Sequence, residues 1–283
     1  MKEFLKGLFE KKKQLPIPKK DQIQQQQIAV ESSNSSEKKK KKFPFETPEE
    51  IILENHEKES NKPLNGGCNK TEFVEIKDDG SGIFKPKNGE DDCGRRNVKA
   101  GSYFRRERAS YIIDKFLRFN LVPPTVIREI DGEIGSLQQF IPDAQTGFET
   151  SRSELILDKI LCQQLIKLWI FDYIIYNSDR HQENFLVKLK EKKIYAIDHG
   201  LSFGNDYLKF YEEFFETPIP LEISDGIERF LSWKEGKELC EELLEELISP
   251  EEVKACMRRI ERILKIIKNH GKIPRSAKNE LVF

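Results

Sequence analysis

The chain has 283 residues, 37% hydrophobic and 34% charged, with a formal net charge of -1. That is apolar material for one large domain or two lobes, and the near-neutral balance excludes a protein built throughout to bind polyanions. No segment reads as a secretory leader, and none reaches the ~18 apolar residues of a membrane span.

A mean hydropathy of -0.63 predicts a soluble chain. Five scattered cysteines with no CxxC pair point to a reduced, cytoplasmic setting and away from a zinc site. Residues 1–62 carry the runs KKK, QQQQ, SSNSS and KKKKK with few aromatics, and they read as a disordered tail. Its start, MKEFLKGLFEKKK, gathers Phe4, Leu5, Leu8 and Phe9 on one helical face. A frayed helix or plain solubilising tail is the preferred reading of that face, and a short anchor making weak contact with an acidic membrane surface the second. The run Lys38–Lys42 reads as solvated charge rather than a nucleic-acid site.

Order is expected from residue 63 to 283. TEFVEIK alternates as a strand, DDGSG turns, and IFKPK is a second strand. YFRRERASYIIDKFLRF has helical periodicity, and PPTVIRE, IDGE and IGSLQQFI form a hairpin. Residues 63–141 therefore predict a small antiparallel sheet lobe with one helix. Pro142 and the polar stretch after it act as a hinge. Residues 142–283 predict a mostly helical lobe: one long helix over Ser153–Tyr176, short strands FLVKLK and KIYAID, and helices near Lys234–Ile248 and Pro250–Asn269. The fold class is α+β, two lobes framing a cleft.

Several charged groups stand at apolar places, where they cost free energy unless paired or bound. Lys85 lies in an apolar strand and suits a phosphate, and Glu107 on the next helix can hold it, although an exposed helix glutamate is the plainer reading. Asp179 and Asn184 stand five apart just after a greasy helix, so one tight loop can aim both into a cleft. The Asp can accept a hydroxyl proton, and the Asn oxygen suits magnesium. Asp198 ends the apolar strand IYAID, and Gly200 lets the chain turn after it. An Asp-x4-Asn followed by a strand hairpin ending in Asp-x-Gly is far rarer than the spacing alone. His181 reads either as a catalytic donor beside Asp179 or as a structural tie, and His199 as packing.

NSDRHQENFLV with IYAIDHGLSF resembles the D-R-H-x-x-N and Asp-x-Gly motifs of phosphatidylinositol 3- and 4-kinases, and is similar to HipA-type serine kinases. LNGGCNKTEFVEIKDDGSGIFKPK resembles the glycine loop and lysine strand of such atypical kinases. The resemblance covers roughly residues 64–204 and implies a two-lobed protein-kinase-like fold that uses ATP and magnesium. By that resemblance Gly66 and Gly67 would line the phosphate loop, Lys85 would bind ATP phosphates and Glu107 would hold it. Gln139, Phe140 and Ile141 would offer backbone hydrogen bonds to adenine, Asp179 would be the catalytic Asp, and Asn184 and Asp198 would hold the metal. GGCNKT is not G-x-G-x-x-G, Arg180 follows rather than precedes the Asp, and His follows Asp198, so an ordinary protein kinase is disfavoured.

The stretch after Asp198, HGLSFGNDYLKFYEEFFETPIP, holds Lys209 against Asp206, Glu212, Glu213 and Glu216. A phosphorylated inositol would meet repulsion there. A protein serine or threonine acceptor is the preferred expectation, a lipid acceptor the second. A pseudokinase or nucleotide-binding scaffold is the rival.

Overall fold

Thr47-Pro48-Glu49-Glu50 starts the first described helix, and each residue has a reason to be there. Thr47 accepts the Glu50 N–H and Glu50 returns the bond to the Thr47 N–H, with Pro at the first helical position. This computed structural model describes residues 46–64, 69–78, 80–91, 98–204, 214–278 and 281. The first 45 residues, with the expected anchor and most of the expected tail, lie outside them, as does 205–213 with Asp206, Lys209, Glu212 and Glu213.

Helix α1 (Pro48–Asn55) leads into strand β1 (Lys58–Leu64), which pairs antiparallel with β2 (Thr71–Ile76). This corrects the expected tail boundary at residue 62. β1 reads KESNKPL and is mostly exposed, with no alternation to see. Its order comes from edge pairing with β2. Strands β3 (Gly80–Pro86), β4 (Thr125–Ile130) and β5 (Glu133–Gln139) complete an antiparallel sheet in the order β1-β2-β3-β5-β4.

One face of that sheet is apolar: Val74, Ile76, Phe84, Val126, Ile130 and Leu137 pack with Leu53 of α1. The other face carries Phe73 and Ile83, directly opposite one another, and then Lys85. Helix α2 (Tyr103–Leu117) lies beside the sheet. Buried Glu50 ties α1 to it through Arg108 at 3.0 Å and through Lys115.

The expected helix over Ser153–Tyr176 is two helices, α3 (Arg152–Leu157) and α4 (Lys159–Ile175). Asp158 causes the break: its carboxylate accepts the Ile160 and Leu161 N–H groups and caps α4 afresh. From Leu168 to Ile175 every residue of α4 is buried, so this helix is the axis of the second lobe. A small sheet follows, β6 (Gln145–Thr146), β7 (Phe185–Lys188) and β8 (Lys193–Ala196). Helices α5 (Leu221–Ser232), α6 (Lys234–Glu245) and α7 (Pro250–His270) close the lobe. The sequence reading did not foresee α5. Ser249 and Glu252 start α7 with a capping box, and Gly271, at φ 64°, ends it.

Candidate active site

Three separated segments converge on Lys85. Its ammonium lies 2.5 Å from Glu107 Oε1 and 3.1 Å from Asp198 Oδ1. β3 aims Lys85 off the apolar face. α2 presents Glu107, and the start of that helix is fixed by Glu90, whose carboxylate accepts the N–H groups of Gly101, Tyr103 and Phe104. Asp198 leaves β8 in the left-handed region at φ 59°, which turns its carboxylate out of the strand. Glu107 is nearly inaccessible, whereas Asp198 is 47% exposed.

Burial by itself would push the Glu107 carboxyl up and the Lys85 ammonium down. Their mutual attraction, with Asp198 acting on the lysine, outweighs burial, so the acid sits well below the usual range and the lysine above its own. Glu107 Oε2 also accepts the backbone N–H of His199 at 2.9 Å. The same acid therefore holds both the lysine and the turn that follows Asp198.

Tyr176 ends α4 in a left-handed conformation, and the next residues form the loop Asn177–Asn184. Arg180 organises that loop from a buried position. Its Nε and Nη2 grip Asp172 at 2.9–3.2 Å, and Nη1 donates to the carbonyls of Asn184 and Ile197. Nη2 also meets His199 Nε2 at 3.0 Å. All five guanidinium donors have acceptors. Because a guanidinium only donates, His199 Nε2 must be unprotonated, and burial keeps the ring neutral by lowering its pKa. Its Nδ1–H then faces Glu107 Oε2 at 3.5 Å, long for a hydrogen bond.

Asn177 Oδ1 accepts the Asp179 N–H at 3.0 Å, and Asn184 donates its amide to the Asp179 carbonyl at 2.9 Å. That leaves the Asn184 oxygen as its group for a cation. His181 Nδ1 accepts the Glu183 N–H at 3.3 Å and caps the 3₁₀ turn Gln182–Asn184, with the ring about half exposed. The loop therefore gives His181 a capping duty.

On the donor side the adenine expectation narrows to one residue. The N–H groups of Gln139 and Phe140 already donate within the sheet, to Pro124 O at 2.8 Å and Ser81 O at 3.0 Å. Among the described residues the Ile141 N–H makes no such bond, and it is the donor left for a base. Phe73 and Ile83 were not foreseen. They form an apolar patch beside Lys85, with Phe73 edge-on to Phe140 at 5.1 Å. The alternation of TEFVEI already separates Phe73 from core-facing Val74 and Ile76, which was the available signal. Gly66 and Gly67 lie outside the described residues.

The donor set fits a nucleotide with a divalent cation. No group of three His, Cys, Asp or Glu side chains that could hold a metal occurs among the described residues. The exposed Asp198 carboxylate beside the half-buried Lys85 ammonium, with an amide oxygen on the Asp179 loop, suits a hard cation that shares phosphate oxygens.

Residues 105–266, more than half of the chain, match the family model described as Phosphatidylinositol 3- and 4-kinase. The chain belongs to that family. The match covers Glu107, the Asp179 loop and Asp198 but not the lysine strand. An alignment of 152 positions, covering 44% of this chain, is 30% identical to Phosphatidylinositol 4-kinase gamma 5 of Arabidopsis thaliana and spans 23% of that relative's length. Two solved structures share the fold. The Golgi casein kinase with Mn/ADP bound has a TM-score of 0.51 at 19% identity, over 76% of this chain and 74% of that one. Hydra Fam20 with sugar has a TM-score of 0.54 at 14% identity, over 77% and 86%. The chain therefore has the two-lobed fold of the atypical kinases.

Proposed function

We propose that the protein moves the γ-phosphoryl group of ATP, with magnesium, to a hydroxyl of a protein serine or threonine. The observation that carries this reading is the convergence of Glu107 and Asp198 on Lys85, from a helix and a turn far apart in the chain. A half-buried ammonium with an almost inaccessible acid behind it and an exposed acid in front is a charged seat for a polyphosphate.

Lys85 holds the phosphates and Glu107 keeps it extended. Asp198 and Asn184 hold the magnesium, which when bound neutralises charge on the phosphate oxygens. Asp179 orients the acceptor hydroxyl and receives its proton, and His181 contributes through the turn it caps. Phe73, Ile83 and the Ile141 N–H seat the base.

The protein acceptor is supported by charge. The stretch 199–216 holds four acids against one lysine, and an inositol already bearing phosphate would be repelled there. The likeness to a phosphatidylinositol 4-kinase favours a second reading, a lipid acceptor.

The test supplies γ-labelled ATP and magnesium to wild type and Asp198→Ala, with mixed protein acceptors or phosphatidylinositol vesicles. Label on protein from wild type alone supports the reading. Label on lipid alone establishes the second. Binding of Mg-ATP with no transfer in either arm sinks both and leaves a nucleotide-binding scaffold.

A further inference from the structure

Helix α7 carries a second feature that the phosphotransfer site does not use. The stretch 271–277 folds back along the end of the helix and leaves an open groove of about 890 Å³. Its floor is apolar and buried: Ile266, Pro274 and Ala277. Its rim is cationic. Arg258, Arg262, Lys265 and His270 line it, and none of the first three makes an ion pair with the described residues. The acid among the lining residues, Glu261, is already paired with Lys237 at 3.0 Å. Two neighbouring cations do find partners, Lys268 of α7 with Glu228 and Lys272 just beyond the helix with Glu216. In a chain of net charge -1, cations gathered on a concave surface with no ion pair among the described residues call for an anionic occupant.

Shape narrows the choice. From Arg258 to His270 the rim runs along twelve residues of helix, about 18 Å at 1.5 Å each. That matches about five or six residues of extended peptide. The volume lies within the ~300–1,000 Å³ of small-molecule pockets, but a cationic rim of this length suits an extended chain better than a compact ligand. A membrane surface would need protruding apolar side chains, whereas here the apolar atoms lie at the bottom of the groove.

Position gives the groove its use. The segment arriving from the Asp198 side is tied to the groove's outer wall. Glu216 N–H donates to Ile273 O and Ile219 N–H to Gly271 O, both at 2.9 Å, and Glu216 accepts the Arg275 N–H at 2.8 Å. We propose that this groove docks an acidic, extended segment of a protein, and that this segment belongs to the acceptor. The second clause rests on the protein-acceptor reading above.

The experiment uses the full chain without ATP and a fluorescein-labelled ten-residue peptide of alternating Glu and Ser, followed by fluorescence anisotropy. A Lys/Ser peptide and vesicles of one part phosphatidylserine to three parts phosphatidylcholine run beside it. The expected result is binding of the Glu/Ser peptide that weakens at least tenfold in R258E/R262E/K265E. It should be unchanged in K87E/K159E/K190E, an equal reversal of exposed lysines elsewhere. If the groove triple melts early, Arg258→Gln alone should still weaken binding at least threefold. No binding by wild type, equal weakening in both triples, or a groove triple that lowers vesicle sedimentation but not peptide binding overturns the proposal. In a transfer assay with a serine peptide bearing a Glu tract, the groove triple should raise KM and leave kcat. If the Glu/Ser peptide binds groove-dependently but no variant transfers label, docking stands and the protein-acceptor reading falls.

Discussion

Glu107 and His199 are joined through the backbone: the carboxylate that holds Lys85 also accepts the His199 N–H at 2.9 Å. The lysine and the turn behind Asp198 thus share one anchor. Glu107→Gln keeps an acceptor for His199 and loses the ion pair. We expect transfer to fall at least tenfold with little loss of melting temperature. Lys85→Met should abolish transfer and also destabilise the fold, because it strands a buried carboxylate. In the double variant the losses should be clearly non-additive, since both changes break one pair. Additive losses in a double-mutant cycle would mean that the two groups act independently.

Arg180 predicts a stability effect larger than its single charge suggests. Five donors serve Asp172, two carbonyls and His199. Arg180→Ala should cost about 3–5 kcal/mol in urea denaturation, the range for breaking a buried pair. Arg180→Lys should recover little of it, because an ammonium cannot reproduce a planar fork.

Asp114, buried near the end of α2, is pushed up to about 7, chiefly by burial, although it accepts the Leu121 N–H. The sign is as follows. Between pH 4 and 7 the folded chain keeps this carboxyl protonated while the unfolded chain loses the proton. The unfolded state therefore binds fewer protons, and stability falls as pH rises through that window. The slope from this group is at most about 1.4 kcal/mol per pH unit. Asp114→Asn should flatten the curve across that window and be more stable than wild type at pH 8. Identical wild-type and variant curves of unfolding free energy against pH would exclude the effect.

Arg106 links α2 to the second lobe. It donates to Ser202 O at 2.6 Å and to Glu252 at 2.7 Å. Arg106→Ala should lower transfer about tenfold and raise hydrogen exchange over residues 199–204, with Mg-ATP affinity nearly unchanged. A large loss of nucleotide affinity would place its action in the binding seat instead.

His181 offers a discriminating substitution. Its Nδ1 caps a 3₁₀ turn, and Asn can cap in the same way. His181→Asn should keep transfer within a few-fold, with an unchanged pH profile. A hundredfold loss and a missing limb in the pH profile would show a proton-handling role.

Much of the chemistry was legible from local pattern. A Lys in an apolar strand, an Asp-x4-Asn after an apolar helix and an Asp at a strand end are charges in places where burial must be compensated. That cost is written in neighbouring residues, so Lys85, Asp179, Asn184 and Asp198 could be named without coordinates. β2, β3 and α2 were legible for the same reason, since their periods of 2 and 3.6 are sequence properties. β1 was not, because a polar edge strand takes its order from its partner rather than from its own pattern. The break at Asp158 was hidden by an apolar periodicity that continues across it.

Partnership over long separations is where local pattern stops. Nothing near Arg180 shows that Asp172, Asn184, Ile197 and His199 will all accept from it, and nothing near Glu90 shows that it caps the helix bearing Glu107. The same holds for the Gln139 and Phe140 N–H groups, which the sheet uses, and for the cations of α7, which become a groove only when 271–277 folds back. Residue types fix which groups need partners. Which groups meet depends on chain crossings between distant segments, 113 residues apart for Lys85 and Asp198 and 146 for Arg106 and Glu252, and only folding creates those.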